Sequence, residues 1–127
     1  MGRLRRGGLA AVLLMVIGVM LSGPAAVADS SRCTPSGCAG QARFVSLGEH
    51  LYVDDKLADG HSAVAVYWLE GGTGPFEVWN PNGNGSTVDH NLELAEGSWI
   101  YYYVCLGEYG LRSILSGTCS AGVTDYA

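Results

Sequence analysis

The chain has 127 residues, twelve acidic against seven basic side chains, a formal net charge of −5 and four cysteines. That length bounds the protein to one domain. The acidic balance argues against nucleic acid and anionic lipid as partners, since phosphate groups would be repelled.

In chain order, Arg3, Arg5 and Arg6 precede an apolar run from Leu9 to Leu21, which Ser22-Gly23-Pro24 breaks before the small residues Ala26-Val27-Ala28. This is the order of a secretory signal peptide, expected over residues 1–28 with cleavage after Ala28. The run is shorter than the roughly 20 apolar residues a membrane span needs. No cysteine sits at the cleavage point, so the expected product is extracellular and released, with no membrane contact after cleavage. Arg5-Arg6 resembles a twin-arginine signal in that pair alone, because Gly7-Gly8 follow. Cleavage leaves Arg32, Arg43, Lys56 and Arg112 against all twelve acidic residues, a net charge of −8. Such a surface serves solubility, or favours a basic partner or a cation.

Residues 29–42 are rich in Ser, Gly, Pro and Cys and predict an irregular N-terminal arm; residues 43–127 predict the folded domain. Nothing there keeps a helical period, and glycines mark turns at even intervals. Arg43 to Val53 alternates, with Val45, Leu47, Leu51 and Val53 on one face. Asp54 to Gly60 reads as a turn ending in Asp59-Gly60. His61 to Glu70 reads as the second strand, and Phe76 to Trp79 as a short third. Asn80 to Gly85 is dense in turn residues. Thr87 to Leu94 reads as a fourth strand, Trp99 to Leu106 as the fifth and strongest, and Leu111 to Leu115 as a sixth. About six strands predict an all-β fold, a small antiparallel β-sandwich or partly open barrel.

All four cysteines follow the leader, and an even count in a short exported chain predicts two disulfides. Sequence proximity favours Cys33–Cys38 and Cys105–Cys119. A metal site is not expected: there is no Cys-x-x-Cys, and the histidines are not at ligand spacing.

Side chains alternate along a strand. On the fifth strand Ile100, Tyr102, Val104 and Leu106 oppose Trp99, Tyr101, Tyr103 and Cys105. On the second, Val64, Val66 and Trp68 oppose Ala63, Ala65, Tyr67 and Leu69. Neither strand has a polar face, whereas a sandwich buries one face of each sheet. The second face is covered by its own chain, covered by a partner protein or a second copy, or used to stack on sugar rings. Tyr67, Trp99, Tyr101 and Tyr103, with Trp79 and Tyr109 as lesser candidates, are the expected contact residues.

Catalytic signals are weak. Asp54, Asp55 and Asp59 share a loop but lack the EF-hand spacing for calcium. His50, His61 and His90 are isolated, and there is no Gly-x-Ser-x-Gly elbow. Glu93 and Glu96 flank a turn, with no cleft between them for a glycosidic bond. Asn84-Gly85-Ser86 matches a glycosylation acceptor and reads as a turn. No enzyme activity, cofactor or metal is expected.

Ala58-Asp59-Gly60-His61-Ser62-Ala63-Val64, Glu96-Gly97 and Cys105-Leu106-Gly107-Glu108 resemble small secreted actinobacterial proteins of the Streptomyces type, over roughly residues 43–119. The resemblance implies a cysteine-crosslinked β-sandwich and assigns no chemistry. In size and architecture the chain is also similar to the small adaptor subunits of Streptomyces umbrella toxin particles, which join a repeat stalk to a lectin subunit. It shares size, export and two disulfides with secreted actinobacterial α-amylase inhibitors. Their Trp-Arg-Tyr triplet is absent; its nearest echo, Val66-Tyr67-Trp68, lacks the arginine.

The expected function is a secreted, non-enzymatic binding or adaptor module. Its aromatic strand face would meet an extracellular protein, with acidic residues at the rim steering a basic partner. The alternatives are a hydrolase inhibitor presenting Asn80 to Gly85, or a carbohydrate-binding module.

Overall fold

The computed structural model describes residues 29–127; the expected leader over residues 1–28 lies outside the described residues. The chain forms β1 (Ser30–Cys33), β2 (Gly40–Val45), β3 (His50–Asp55), β4 (Ser62–Leu69), β5 (Thr73–Asn80), β6 (Thr87–Asn91) and β7 (Trp99–Glu108), then a single 3-10 turn (Tyr109–Leu111), β8 (Ser113–Ile114) and β9 (Val123–Tyr126). The fold is all-β, a small sandwich of two antiparallel sheets. Sheet one has the order β1-β2-β3-β6. Sheet two has β5-β4-β7, and β8 and β9 take successive stretches of the far edge of β7. Between them the chain keeps to that edge. Leu115 N–H donates to the Leu106 carbonyl at 2.9 Å and Ser120 N–H to the Val104 carbonyl at 2.8 Å.

Two expectations about local structure are corrected. Arg43 to Val53 is not one strand but the β2–β3 hairpin, in which Val45 faces His50 across the pair. Glu49 N–H donates to the Ser46 carbonyl, and Gly48 and Glu49 both take positive φ, +81° and +56°. Leu47, expected on the core face, sits at the tip and is 82% exposed. Residues 29–42 are not an irregular arm throughout: β1 pairs with β2 in register from Ser30↔Phe44 to Cys33↔Gln41. The segment between them is closed by the Cys33–Cys38 disulfide, and the second disulfide is Cys105–Cys119, so both expected pairings form.

The core lies between the sheets. Ala42, Phe44, Leu51 and Val53 come from sheet one, and Ala63, Ala65, Tyr67, Val78, Ile100, Tyr102 and Val104 from sheet two. Full burial of side chains such as Phe44, Leu51 and Ile100 contributes about 1.5–3 kcal/mol each. Three of the polar side chains inside, Tyr102, Tyr67 and Asn80, are partnered, as most buried polar groups are, while Ser46 Oγ and Asp125 Oδ2 are buried without a hydrogen-bond partner among the described residues. Tyr102 OH lies 2.8 Å from Ser30 Oγ, and Tyr67 OH lies 3.1 Å from His90 Nε2. Asn80, fully buried, donates from Nδ2 to the carbonyls of Val53 and Ser86 and accepts at Oδ1 from Asn82 N–H and the Ser86 hydroxyl. It ties the end of β5 to the start of β6.

Candidate functional site

Cross-strand partners in an antiparallel ladder share a face, so the register of sheet two decides which aromatic residues look outward. Tyr67 pairs with Tyr102, and both point into the core; Val66 pairs with Tyr103 and Trp68 with Tyr101, and these point out. Tyr67 is therefore withdrawn as a contact residue, being only 5% exposed and bonded to His90. Its neighbour Trp68, which sequence reasoning left out of the contact set, takes the outward place.

The outer side of sheet two is built in transverse rows. One row runs Trp79–Val64–Cys105, the next Glu77–Val66–Tyr103, and the next Trp68–Tyr101–Thr124; beyond it Trp99 stands beside Tyr126. All three tryptophans of the chain are on this side. Val64 and Val66 are buried although they lie on it, because the larger side chains beside them in each row close over them. Trp68, Trp79, Trp99 and Tyr103 are half-buried. Tyr101 is 37%, Tyr109 39% and Tyr126 59% exposed. The face is thus a layer of rings wet on its upper surface.

Two clusters organise that layer. Trp68 stands between Tyr101 and Tyr103, each with ring centroid 5.7 Å away and planes inclined 51° and 43°. Such offset, tilted pairs are the favoured aromatic geometry. At the other end Trp79 meets Tyr109 edge-on at 6.2 Å, and Trp79 Nε1 donates to Glu77 Oε2 at 2.8 Å. The Arg112 guanidinium lies 3.8 Å above the Tyr109 ring and 5.7 Å from the Trp79 ring. Arg112 takes positive φ (+52°) where it closes the 3-10 turn. Its own chain also seats the rings. The Trp79 ring passes directly over Gly107 and the Tyr101 ring over Gly122, where a β-carbon would collide with them.

The outer side of sheet one has a different chemistry. Arg43 donates from Nε and Nη2 to the two carboxylate oxygens of Asp54 at 2.7 and 3.1 Å, and the Thr87 hydroxyl donates to Asp54 Oδ1 at 2.6 Å. The Arg43 guanidinium also covers the Tyr52 ring, and His50 Nδ1 lies 2.7 Å from Asp89 Oδ1. Burial opposes the charge on Asp54, but the hydrogen bonds from Arg43 and Thr87 and the nearby positive charges outweigh it and hold its pKa low. Asp55 follows on β3 and so points the other way. Burial, with the charge of Asp59 added, pushes its pKa up. The candidate calcium carboxylates therefore diverge rather than converge. Among the described residues no group of three or more His, Cys, Asp or Glu has the arrangement to hold a metal. The three histidines also stand apart, His61 paired with Glu108 and the other two with Asp89 and Tyr67.

No protein-family model, curated protein or solved structure matches this chain. Among the described residues no helix is long and apolar enough to cross a membrane. Two disulfides are in keeping with an oxidising, extracellular setting.

Proposed function

We propose that this chain is a secreted, non-enzymatic binding module whose aromatic sheet face docks a partner protein. One observation carries the reading. The solvent side of sheet two holds all three tryptophans and a band of tyrosines, while the solvent side of sheet one is closed by ion pairs and hydrogen bonds. Tyr and Trp combine apolar area with few rotatable bonds and are the residues that most often anchor protein interfaces. The 43–51° inclination of the rings around Trp68 favours a protein surface over a sugar. A saccharide chain stacks best on coplanar rings, whereas a ridged surface interlocks with side chains.

The test compares the disulfide-bonded protein with a Trp68→Ala, Tyr101→Ser variant and with Tyr52→Ser on the polar face. Each is immobilised and exposed to medium in which the producing cells have grown. The wild-type protein and Tyr52→Ser should retain the same partner, and the double variant should lose it while keeping a cooperative melt. Equal retention by all three would end the proposal.

A second reading has its own support. The Pro81–Gly85 loop is exposed along its length yet anchored by the four hydrogen bonds of buried Asn80. A rigid exposed loop is what an inhibitor inserts into a hydrolase. Near-stoichiometric inhibition of a hydrolase, lost on replacing Asn82-Gly83, would favour it over docking.

A further inference from the structure

The aromatic face is not uniform, and the difference between its ends points to what it takes up. At the Trp79 end the chain places a guanidinium of its own on the rings, Arg112 over Tyr109 and beside Trp79. At the Trp68 end no cation among the described residues lies over the rings. Of the other cations among the described residues, Arg43 is held on Asp54 and Lys56 on Gln41 Oε1, and Arg32 donates to the carbonyl of Gly122 beneath the Tyr101 ring without lying over a ring face. Two acidic residues border the Trp68 end. Glu77 shares a row with Val66 and Tyr103, with its Oε2 accepting from Trp79 Nε1 at 2.8 Å and Oε1 left over. Glu70 follows β4 directly, and its N–H donates to the Trp99 carbonyl at 3.1 Å. Among the described residues neither carboxylate forms an ion pair.

Resting on the docking reading above, we propose that the Trp68–Tyr101–Tyr103 cluster takes an arginine-bearing segment of the partner protein. Its guanidinium lies on the ring faces, as Arg112 does at the other end, and Glu77 in the adjoining row offers the charge the carboxylate oxygen that Trp79 leaves free. Charge complementarity selects this occupant. With four cations against twelve acidic side chains over residues 29–127, a neutral or acidic segment gains nothing from the rim. Guanidinium is favoured over ammonium because it is planar, weakly hydrated and stacks on aromatic faces.

The probe is a capped hexapeptide of alternating glycine and arginine, titrated into the isotopically labelled, disulfide-bonded protein while the indole N–H signals of Trp68, Trp79 and Trp99 are followed by NMR. The same peptide with citrulline keeps the shape and removes the charge. The arginine peptide should move the Trp68 signal more than that of Trp79, which Arg112 already caps and which responds only through its Nε1–H bond to Glu77. The citrulline peptide should bind about tenfold more weakly, the scale of one cation–π contact with its ion partner. Glu77→Gln, a surface change that leaves the core intact, should weaken the arginine peptide about threefold.

Equal shifts with citrulline and arginine would overturn the assignment. So would a Trp68 signal that answers cello- or chito-oligosaccharides instead of the peptide. A signal that moves on dilution of the protein alone, the mark of a second copy on the face, would overturn it too. These outcomes leave the docking reading standing if the Trp68→Ala, Tyr101→Ser variant still loses its partner. Retention of the partner by that variant sinks the docking reading itself.

Discussion

Adjacent carboxylates on β3 set opposite demands on pH. Asp54 ionises more easily in the folded chain than in the unfolded one. Its contribution is therefore present above the ordinary carboxylate pKa and is lost as pH falls through its lowered folded value. Asp54→Asn should cost about 1 kcal/mol at pH 7, kept modest because the Arg43 guanidinium is partly in water, and the cost should shrink on acidification. Asp55 behaves in reverse. Its folded pKa is raised, so its contribution is full below the unfolded pKa and is lost as pH rises through the folded value. Asn at 55 keeps an acceptor for the Leu57 N–H, which Asp55 Oδ1 accepts at 3.3 Å. Asp55→Asn should therefore raise the melting temperature at pH 7 and leave it unchanged near pH 3. Thermal melts of the two variants from pH 3 to 7 should diverge from wild type in opposite directions, and parallel curves would refute the paired assignment.

At the level of strands, the aromatic face depends on two glycines. A β-carbon on Gly107 would meet the Trp79 ring at 2.6 Å and the Ser113 carbonyl oxygen at 2.8 Å. Backbone as well as ring must give way, so Gly107→Ala should destabilise by about 1–3 kcal/mol. On Gly122 the three nearest clashes are all with the Tyr101 phenol, the far end of a side chain already part in solvent. Gly122→Ala should therefore cost less than Gly107→Ala but swing Tyr101 away from its seat, changing the fluorescence of neighbouring Trp68. A larger loss of stability for Gly122→Ala than for Gly107→Ala would contradict this account. The strands β4 and β7 were legible from the sequence because their apolar and β-branched runs are bounded by Gly turns. The pattern marks only Phe76 to Trp79 within β5, whose Thr73–Pro75 start reads as a break, and it runs three residues past the end of β6. The β2–β3 hairpin was not. Val45, Leu47, Leu51 and Val53 fall at even spacings straight through the reversal, and only Gly48 marks it. Tyr67 was misread for a related cause. Both faces of β4 are apolar, so alternation splits its residues into two sets without saying which is inside. The pairing Val66↔Tyr103 decides that, and pairing belongs to two strands, not to one. Strand β9 has four residues and takes its structure from the β7 edge rather than from its own composition.

For the molecule as a whole, the disulfides close loops of different length. Cys105–Cys119 has a sequence separation of 14 and Cys33–Cys38 of 5. In the chain-entropy account the longer crosslink contributes roughly 3 kcal/mol and the shorter roughly 2. Replacing Cys105 and Cys119 by Ser should accordingly lower the denaturation midpoint more than replacing Cys33 and Cys38, and equal shifts in urea titrations would count against that ordering. The sandwich class and both pairings could be read in advance because turn spacing and cysteine proximity are local properties. The aromatic side could be read only in part, because it needs the register that brings Trp68, Tyr101 and Tyr103 together.

On the docking reading proposed above, the two outer surfaces differ so sharply that the molecule would be adhesive on one side only. Sheet one presents a wetted shell of satisfied charges, which offers water as much as it could offer a protein. A body of this kind saturates after one attachment and ends whatever it joins, like a lid on a jar. Complexes built on it would stay finite in size, with no tendency to grow into chains or lattices as concentration rises.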